Sequence, residues 1–251
     1  EPLLRGNLFR PLFSALNSNV KKGYTSIKVF EAGNVFKKEK NSFIQSMHLS
    51  GIIYYHEPQQ TWSQKELAYD FYSLKAEISK LLQTLGMQNI EFQKASSCMP
   101  FNENALDVFI GKYKIAVIGE IDLSVTEKLI KKQAYGFEIY PEKISSVSSN
   151  PKIKKTSKFP LSAQDINIVI DKSIPYKDIE NVIVNGAIKF LTSFSLINTF
   201  EGKDIPKGSV SMTLRVVFQS NVKSLSETDI NGSMQMTVKL LEKKLNAKIR
   251  S

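Results

Sequence analysis

Val210-Ser211-Met212-Thr213-Leu214-Arg215-Val216-Val217-Phe218-Gln219 is the stretch from which the fold is read. Val210, Met212, Leu214, Val216 and Phe218 are apolar, while Ser211, Thr213, Arg215 and Gln219 between and after them are polar. This period of two is that of a strand with one buried face. Upstream lie a turn region, Gly202–Gly208, and a second strand, Leu191–Phe200. Further upstream Ile166, Ile168 and Ile170 alternate with Asn167, Val169 and Asp171 as another strand. A helix is predicted after Pro175, with Ile179, Val182, Ile183, Ala187 and Phe190 on one face. Downstream, Ser226 with Asp229 three residues on has the spacing of a capping box. The helix it opens carries Ile230, Met234, Val238, Leu241 and Leu245, and Ala247–Arg250 reads as a last strand. The order β-α-β-β-α-β is the ferredoxin-like arrangement, in which both helices cover one sheet face and the other can stay open.

Residues 145–158 are Ser- and Lys-rich without apolar periodicity and read as a linker between a segment 1–144 and a segment 159–251. In the first segment, Leu4, Leu8, Leu12 and Leu16 predict a helix with Pro11 as a kink or boundary. Strands are predicted at Ile27–Phe36, interrupted by Gly33, and at Met47–Tyr55. Asp70–Leu85 predicts a helix with the stripe Leu74, Ile78, Leu81, Leu82 and Leu85, ended by Gly86. Leu106–Ile110 and Tyr113–Ile118 form a hairpin around Gly111-Lys112. The overall expectation is an α+β chain: a mixed sheet-and-helix domain followed by a ferredoxin-like one.

The chain has 251 residues, 42% hydrophobic and 23% charged, a soluble globular composition. No apolar run approaches the roughly 20 residues of a membrane helix, and the N-terminus has no signal-peptide pattern. One cysteine, Cys98, excludes an internal disulfide, and two histidines, His48 and His56, do not supply a usual zinc cluster. The net charge of +10 favours a polyanionic partner, but a general Lys bias explains it equally well.

A catalytic constellation is not evident. There is no glycine-rich phosphate loop or nucleophile elbow, and Cys98 has no histidine beside it. His48 and His56 read as structural or surface residues. Glu120 and Asp122 would share one strand face, as an acid/base pair requires, but solvated surface charge is the simpler reading. RNA binding has better candidates. Lys152, Lys154, Lys155 and Lys158 suit phosphate, and Thr213 and Arg215 fall on the open face if the even-numbered set packs against the helices. Phe200 is placed to stack on an unpaired base, yet it shares parity with Phe194 and Leu196, and periodicity alone assigns it to the core.

The motifs Ser157-Lys158-Phe159-Pro160, Asp165–Ile170, Phe200-Glu201-Gly202, Ile205-Pro206-Lys207-Gly208, Leu214–Phe218 and Leu225-Ser226 resemble, in order and spacing, the ferredoxin-fold anticodon-binding domain of phenylalanyl-tRNA synthetases. Leu4-Arg5-Gly6-Asn7-Leu8, Phe30–Phe36, Asp70–Lys75 and Ile118-Gly119-Glu120 resemble the synthetase-like domain of the beta subunit, which has the class II fold without its catalytic residues. The resemblance implies a non-catalytic part of phenylalanine-tRNA ligase. Its partners would be a catalytic alpha subunit in an alpha2-beta2 heterotetramer and the anticodon stem-loop of phenylalanine tRNA, in the cytoplasm and away from membranes. ATP and magnesium would serve the full enzyme, with no cofactor in this segment. The residues expected to bind tRNA are Phe200, which the resemblance places on an anticodon base, with Arg215, Lys158, Thr213 and Lys203. Departures from the family pattern are Gln164 for an arginine, Phe101-Asn102-Glu103-Asn104 for a His-Pro-Gly-Arg-like turn, and Asp122-Leu123 for His-Pro. The competing expectation is a paralogous RNA- or protein-binding module outside aminoacylation.

Overall fold

The computed structural model describes residues 4–39, 42–55, 69–96, 99–125, 130, 133–147, 157–202 and 204–250. The chain divides into two compact units, Glu1–Lys152 and Ile153–Ser251.

The N-terminal unit contains α1 (Phe9–Lys21), β1 (Ser26–Glu39), β2 (Ser42–Tyr55), α2 (Phe71–Thr84), β3 (Ile90–Lys94), β4 (Leu106–Ile110), β5 (Tyr113–Glu120), β6 (Ala134–Ile139) and α3 (Pro141–Val147). Its strands form one sheet in the order β1-β2-β6-β5-β4-β3, and every neighbouring pair is antiparallel. Alternation along the strands separates two cores. Ile52, Tyr54, Val117 and Ala134 pack with Phe9, Leu12 and Leu16 of α1. Ile53, Ala116, Ile118 and Tyr135 point the other way and pack with Leu74, Ile78 and Leu82 of α2.

Pro11 neither kinks nor bounds α1. It is the third helical residue, in the first turn, where a backbone N–H has no acceptor within the helix to lose. Leu4 lies outside the helix and is exposed. Gly33 does not interrupt β1; it makes room for the guanidinium of Arg5, which a Cβ there would strike. The stripe on α2 is narrower than expected, since Leu81 and Leu85 face solvent. Its start is set by Asp70, whose carboxylate accepts from the Ser73 amide at 2.7 Å, and its end by Gly86 at φ 83°. Helix α3 runs through Val147, three residues into the stretch read as linker. There Ser145 Oγ donates to Pro141 O and Ser146 Oγ to Lys143 O, so these polar side chains fold back on the helix instead of ending it.

The C-terminal unit contains β7 (Ser162–Asp171), α4 (Tyr176–Val184), β8 (Leu191–Phe200), β9 (Ser209–Phe218), α5 (Glu227–Leu245) and β10 (Lys248–Ile249). The strand order is β10-β7-β9-β8, the ferredoxin-like topology expected from the element order. Ile166, Ile168, Ile170, Val210, Met212, Leu214, Val216 and Phe218 form the core with Ile179, Ile183 and Leu241 from the helices. Helix α4 is shorter than its apolar pattern suggested. It ends at Val184, and Ala187 and Phe190 follow in left-handed conformations at φ 48° and 61°. Gly186 lets the end of α4 approach α5: a Cβ there would lie 2.5 Å from Leu240 Cδ1. Phe190 still reaches the core, but from the loop.

The capping box on α5 forms as predicted, with Asp229 N donating to Ser226 Oγ and Ser226 N to Asp229 Oδ2. The ammonium of Lys223 and these Ser226 bonds pull the Asp229 carboxyl down to about 2. A folded-state value below the unfolded one stabilises the fold above about pH 4, and this stabilisation is lost as the pH falls through about 2. Asp229→Asn is therefore expected to lower the denaturant midpoint at neutral pH and to flatten its fall between pH 4 and 2. Chemical unfolding followed across that range checks it.

Candidate nucleic-acid interface

The free face of the C-terminal sheet is set by the strand register. Asp165 and Asn167 of β7 lie opposite Arg215 and Thr213 of β9, and Ser195, Asn198 and Phe200 of β8 lie opposite Arg215, Thr213 and Ser211. Paired residues share a face, and all of these oppose the core set. The register slips between Leu196 and Asn198. This bulge at Ile197 inserts one residue and inverts the parity of the strand beyond it. Phe194 and Leu196 pack against the core, whereas Phe200, of the same sequence parity, stands on the free face and is 49% exposed. The assignment of Phe200 to the core on periodicity alone fails for this reason.

Arg215 is not a free cation. Its Nε and Nη2 both donate to Asp165, each at 2.8 Å. The fork holds the Asp165 carboxyl below its ordinary range and raises the guanidinium. Exposed pairs of this kind contribute little to stability, so the fork mainly orients the guanidinium plane. Thr213 Oγ1 donates to Asn167 Oδ1 at 2.7 Å. Lys158 is exposed but sits at the far end of the sheet. Ser157 Oγ donates to Ser220 O and Gln219 Nε2 to Phe159 O, which places this segment beyond the Phe218 end of β9. Phe200 pairs near the Ser211 end, roughly 25 Å away by strand rise. Phe200, Thr213 and Arg215 are thus brought onto one surface, and Lys158 is not. Lys203, like Lys152, Lys154 and Lys155, lies outside the described residues.

Two cations escaped the sequence reading. Lys248 pairs with Val169, and Arg250 N donates to Asn167 O, which puts both exposed residues along the β10 edge of the free face. Three strand spacings, roughly 14 Å, separate that edge from β8. Their signal was present in the alternation of Lys248 and Arg250 with Ala247 and Ile249.

In the N-terminal unit three acids of the sheet are paired. Glu31, Ser50, Glu138, Val117 and Asp107 stand in one row across the sheet. Glu31 pairs with Arg5, Glu138 with His48 Nδ1 at 3.0 Å, and Asp107 with Lys114 at 2.6 Å. His48 also meets Ser46 Oγ at 3.1 Å, a structural bridge as expected. Glu120 and Asp122 do separate work: Glu120 accepts from Asn102 Nδ2, and Asp122 from the Ser124 amide. Phe101 lies on the glycine floor of the sheet, where a Cβ on Gly119 would fall 2.8 Å from its ring and one on Gly136 3.2 Å. Among the described residues no group of three His, Cys, Asp or Glu side chains is arranged to hold a metal, and no helix is long and apolar enough to cross a membrane. Cys98 and His56 lie outside the described residues.

Comparison with known proteins adds the family. Residues 1–140 match the family described as phenylalanyl tRNA synthetase beta chain CLM domain, and residues 157–250 match the ferredoxin-fold anticodon binding domain. A phenylalanine–tRNA ligase beta subunit from Carboxydothermus hydrogenoformans is 28% identical over 100% of this chain and 32% of its own length. One from Lactobacillus acidophilus is 26% identical over 99% and 32%. The chain therefore spans about a third of the length of these relatives. A pyrrolysyl-tRNA synthetase structure from Desulfitobacterium hafniense covers 57% of this chain and 49% of its own at a TM-score of 0.44 and 16% identity, too distant to weigh in the argument. With the first family match covering more than half its length and the second most of the remainder, the chain belongs to the phenylalanyl-tRNA synthetase beta chain family.

Proposed function

We propose that this chain is a non-catalytic, tRNA-holding part of phenylalanine-tRNA ligase. The free face of the C-terminal sheet takes the anticodon loop of phenylalanine tRNA. The N-terminal unit serves as a scaffold docking on the alpha subunit of a cytoplasmic alpha2-beta2 enzyme. ATP and magnesium act at that other subunit. The observation that carries the reading is Phe200, an aromatic ring turned out of the core onto a polar sheet face beside oriented hydrogen-bonding groups. An exposed ring of this kind stacks on an unpaired base, and Thr213, Asn198 and Arg215 offer donors and acceptors to base edges. Lys248 and Arg250 line the β10 edge of the same face, and each phosphate they neutralise would make binding more salt-sensitive. Lys158 and Lys203 remain candidates for phosphate contacts outside that face.

The test is equilibrium binding of the phenylalanine anticodon stem-loop to the chain. Binding is expected to saturate, to weaken as salt rises, and to be competed by phenylalanine tRNA far better than by the same tRNA with its anticodon replaced. Equal competition by both would favour a general RNA-binding module outside aminoacylation.

A further inference from the structure

The tip of the Phe200 ring lies against Gly202. A Cβ built on Gly202 would fall 2.5 Å from Phe200 Cζ and 2.7 Å from Cε1, closer than atoms can approach, so the ring lies directly against the Gly202 backbone. Gly202 itself is exposed, and no left-handed backbone angle demands a glycine there. Conformation therefore does not account for the glycine; the ring does. The loop around it is anchored: Ile205 N donates to Gly202 O at 3.0 Å, Lys172 N to Gly208 O at 2.9 Å, and the Lys172 ammonium pairs with Glu201. An anchored backbone cannot yield to an added methyl, whereas an exposed ring can.

We infer that Gly202 is a positioning residue for RNA binding: its bare backbone receives the Cζ–Cε1 edge of the Phe200 ring, and the absence of a side chain there sets the pose in which the ring is presented to an unpaired nucleobase. Two devices then act in series. The bulge at Ile197 selects the face on which Phe200 emerges, and Gly202 sets the pose of the ring on that face. The inference rests on the stacking reading above. It adds that a residue without a side chain, making no base contact of its own, governs affinity through its neighbour.

A double-mutant cycle tests it. Gly202→Ala in the otherwise native chain is expected to lower affinity for the anticodon stem-loop by about 5- to 20-fold, with the unfolding midpoint nearly unchanged because the ring can swing into solvent. In a Phe200→Ala background the same Gly202→Ala change is expected to have no effect on affinity. Equal losses in both backgrounds overturn the inference, since Gly202 would then act independently of the ring. A second readout needs no RNA. The Gly202 α-protons are expected to show an aromatic ring-current shift that disappears in Phe200→Ala, and its absence from the native chain also overturns the inference. If Phe200→Ala binds RNA as tightly as the native chain, the stacking reading fails, and the proposed role of Gly202 in RNA binding fails with it. The ring-current shift still reports separately whether the ring is held on Gly202.

Discussion

Phe101→Ala is expected to destabilise the N-terminal unit by about 3–5 kcal/mol, the cost of truncating a buried phenylalanine to alanine. The ring is 5% exposed and meets Phe9 of α1 edge-on, with centroids 5.3 Å apart and planes at 86°. Its other contacts are with the backbone of Gly119 and Gly136 and with the core around Ile121. Glycines cannot repack by changing rotamer, and the floor is a hydrogen-bonded sheet, so the cavity left by alanine would collapse poorly. Domains of this kind are stable by only about 5–15 kcal/mol, and the variant would be left marginal. Urea unfolding followed by circular dichroism checks this, with Phe101→Leu expected between the two. A loss below about 1 kcal/mol would mean that the ring is not packed on the sheet as described.

Phe200→Ala is expected to weaken binding of the anticodon stem-loop by about 1–3 kcal/mol, roughly 5- to 150-fold. The fold should barely notice. The ring is half exposed and opposes Ser211 rather than the apolar set, so its loss removes little buried area. The separation of the two effects is what distinguishes a stacking platform from a core residue. If the variant instead loses several kcal/mol of stability while the folded fraction binds RNA normally, Phe200 is a packing residue. Phe200→Tyr keeps the stacking surface and is expected to bind within a few-fold of the native chain.

The topology of the C-terminal unit was legible in the sequence because local signals agree with each other. The alternation from Val210 to Phe218, the Ser226–Asp229 box and the stripe on α5 each point to the element observed. What stayed hidden arises from single-residue irregularities and from contacts distant in sequence. The bulge at Ile197 has no sequence mark, yet it reverses the face of every residue from Asn198 to Phe200. Arg215 reads as an unpaired cation on the open sheet face until Asp165, fifty positions away, is found forked to it. The end of α4 is overrun because Ala187 and Phe190 continue its apolar spacing, although the helix stops at Val184 and both residues are left-handed. Pro11 reads as a break only when its position within the helix is unknown. In the N-terminal unit, Phe101 belongs to a segment with no periodicity, and its burial follows from the gap that Gly119 and Gly136 leave on the neighbouring strands.

Titrating the isotope-labelled chain with the phenylalanine anticodon stem-loop, and following each backbone amide by NMR, locates the RNA on the molecule. The largest shifts are expected at Asn198, Phe200, Gly202, Thr213, Arg215 and Arg250, which share the free face or its edge, with little change at Ile179, Ile183, Ser233 and Leu241 beneath and within the helices. Shifts concentrated on α4 and α5, with the free face of the sheet silent at saturation, would contradict the assignment of that face to RNA.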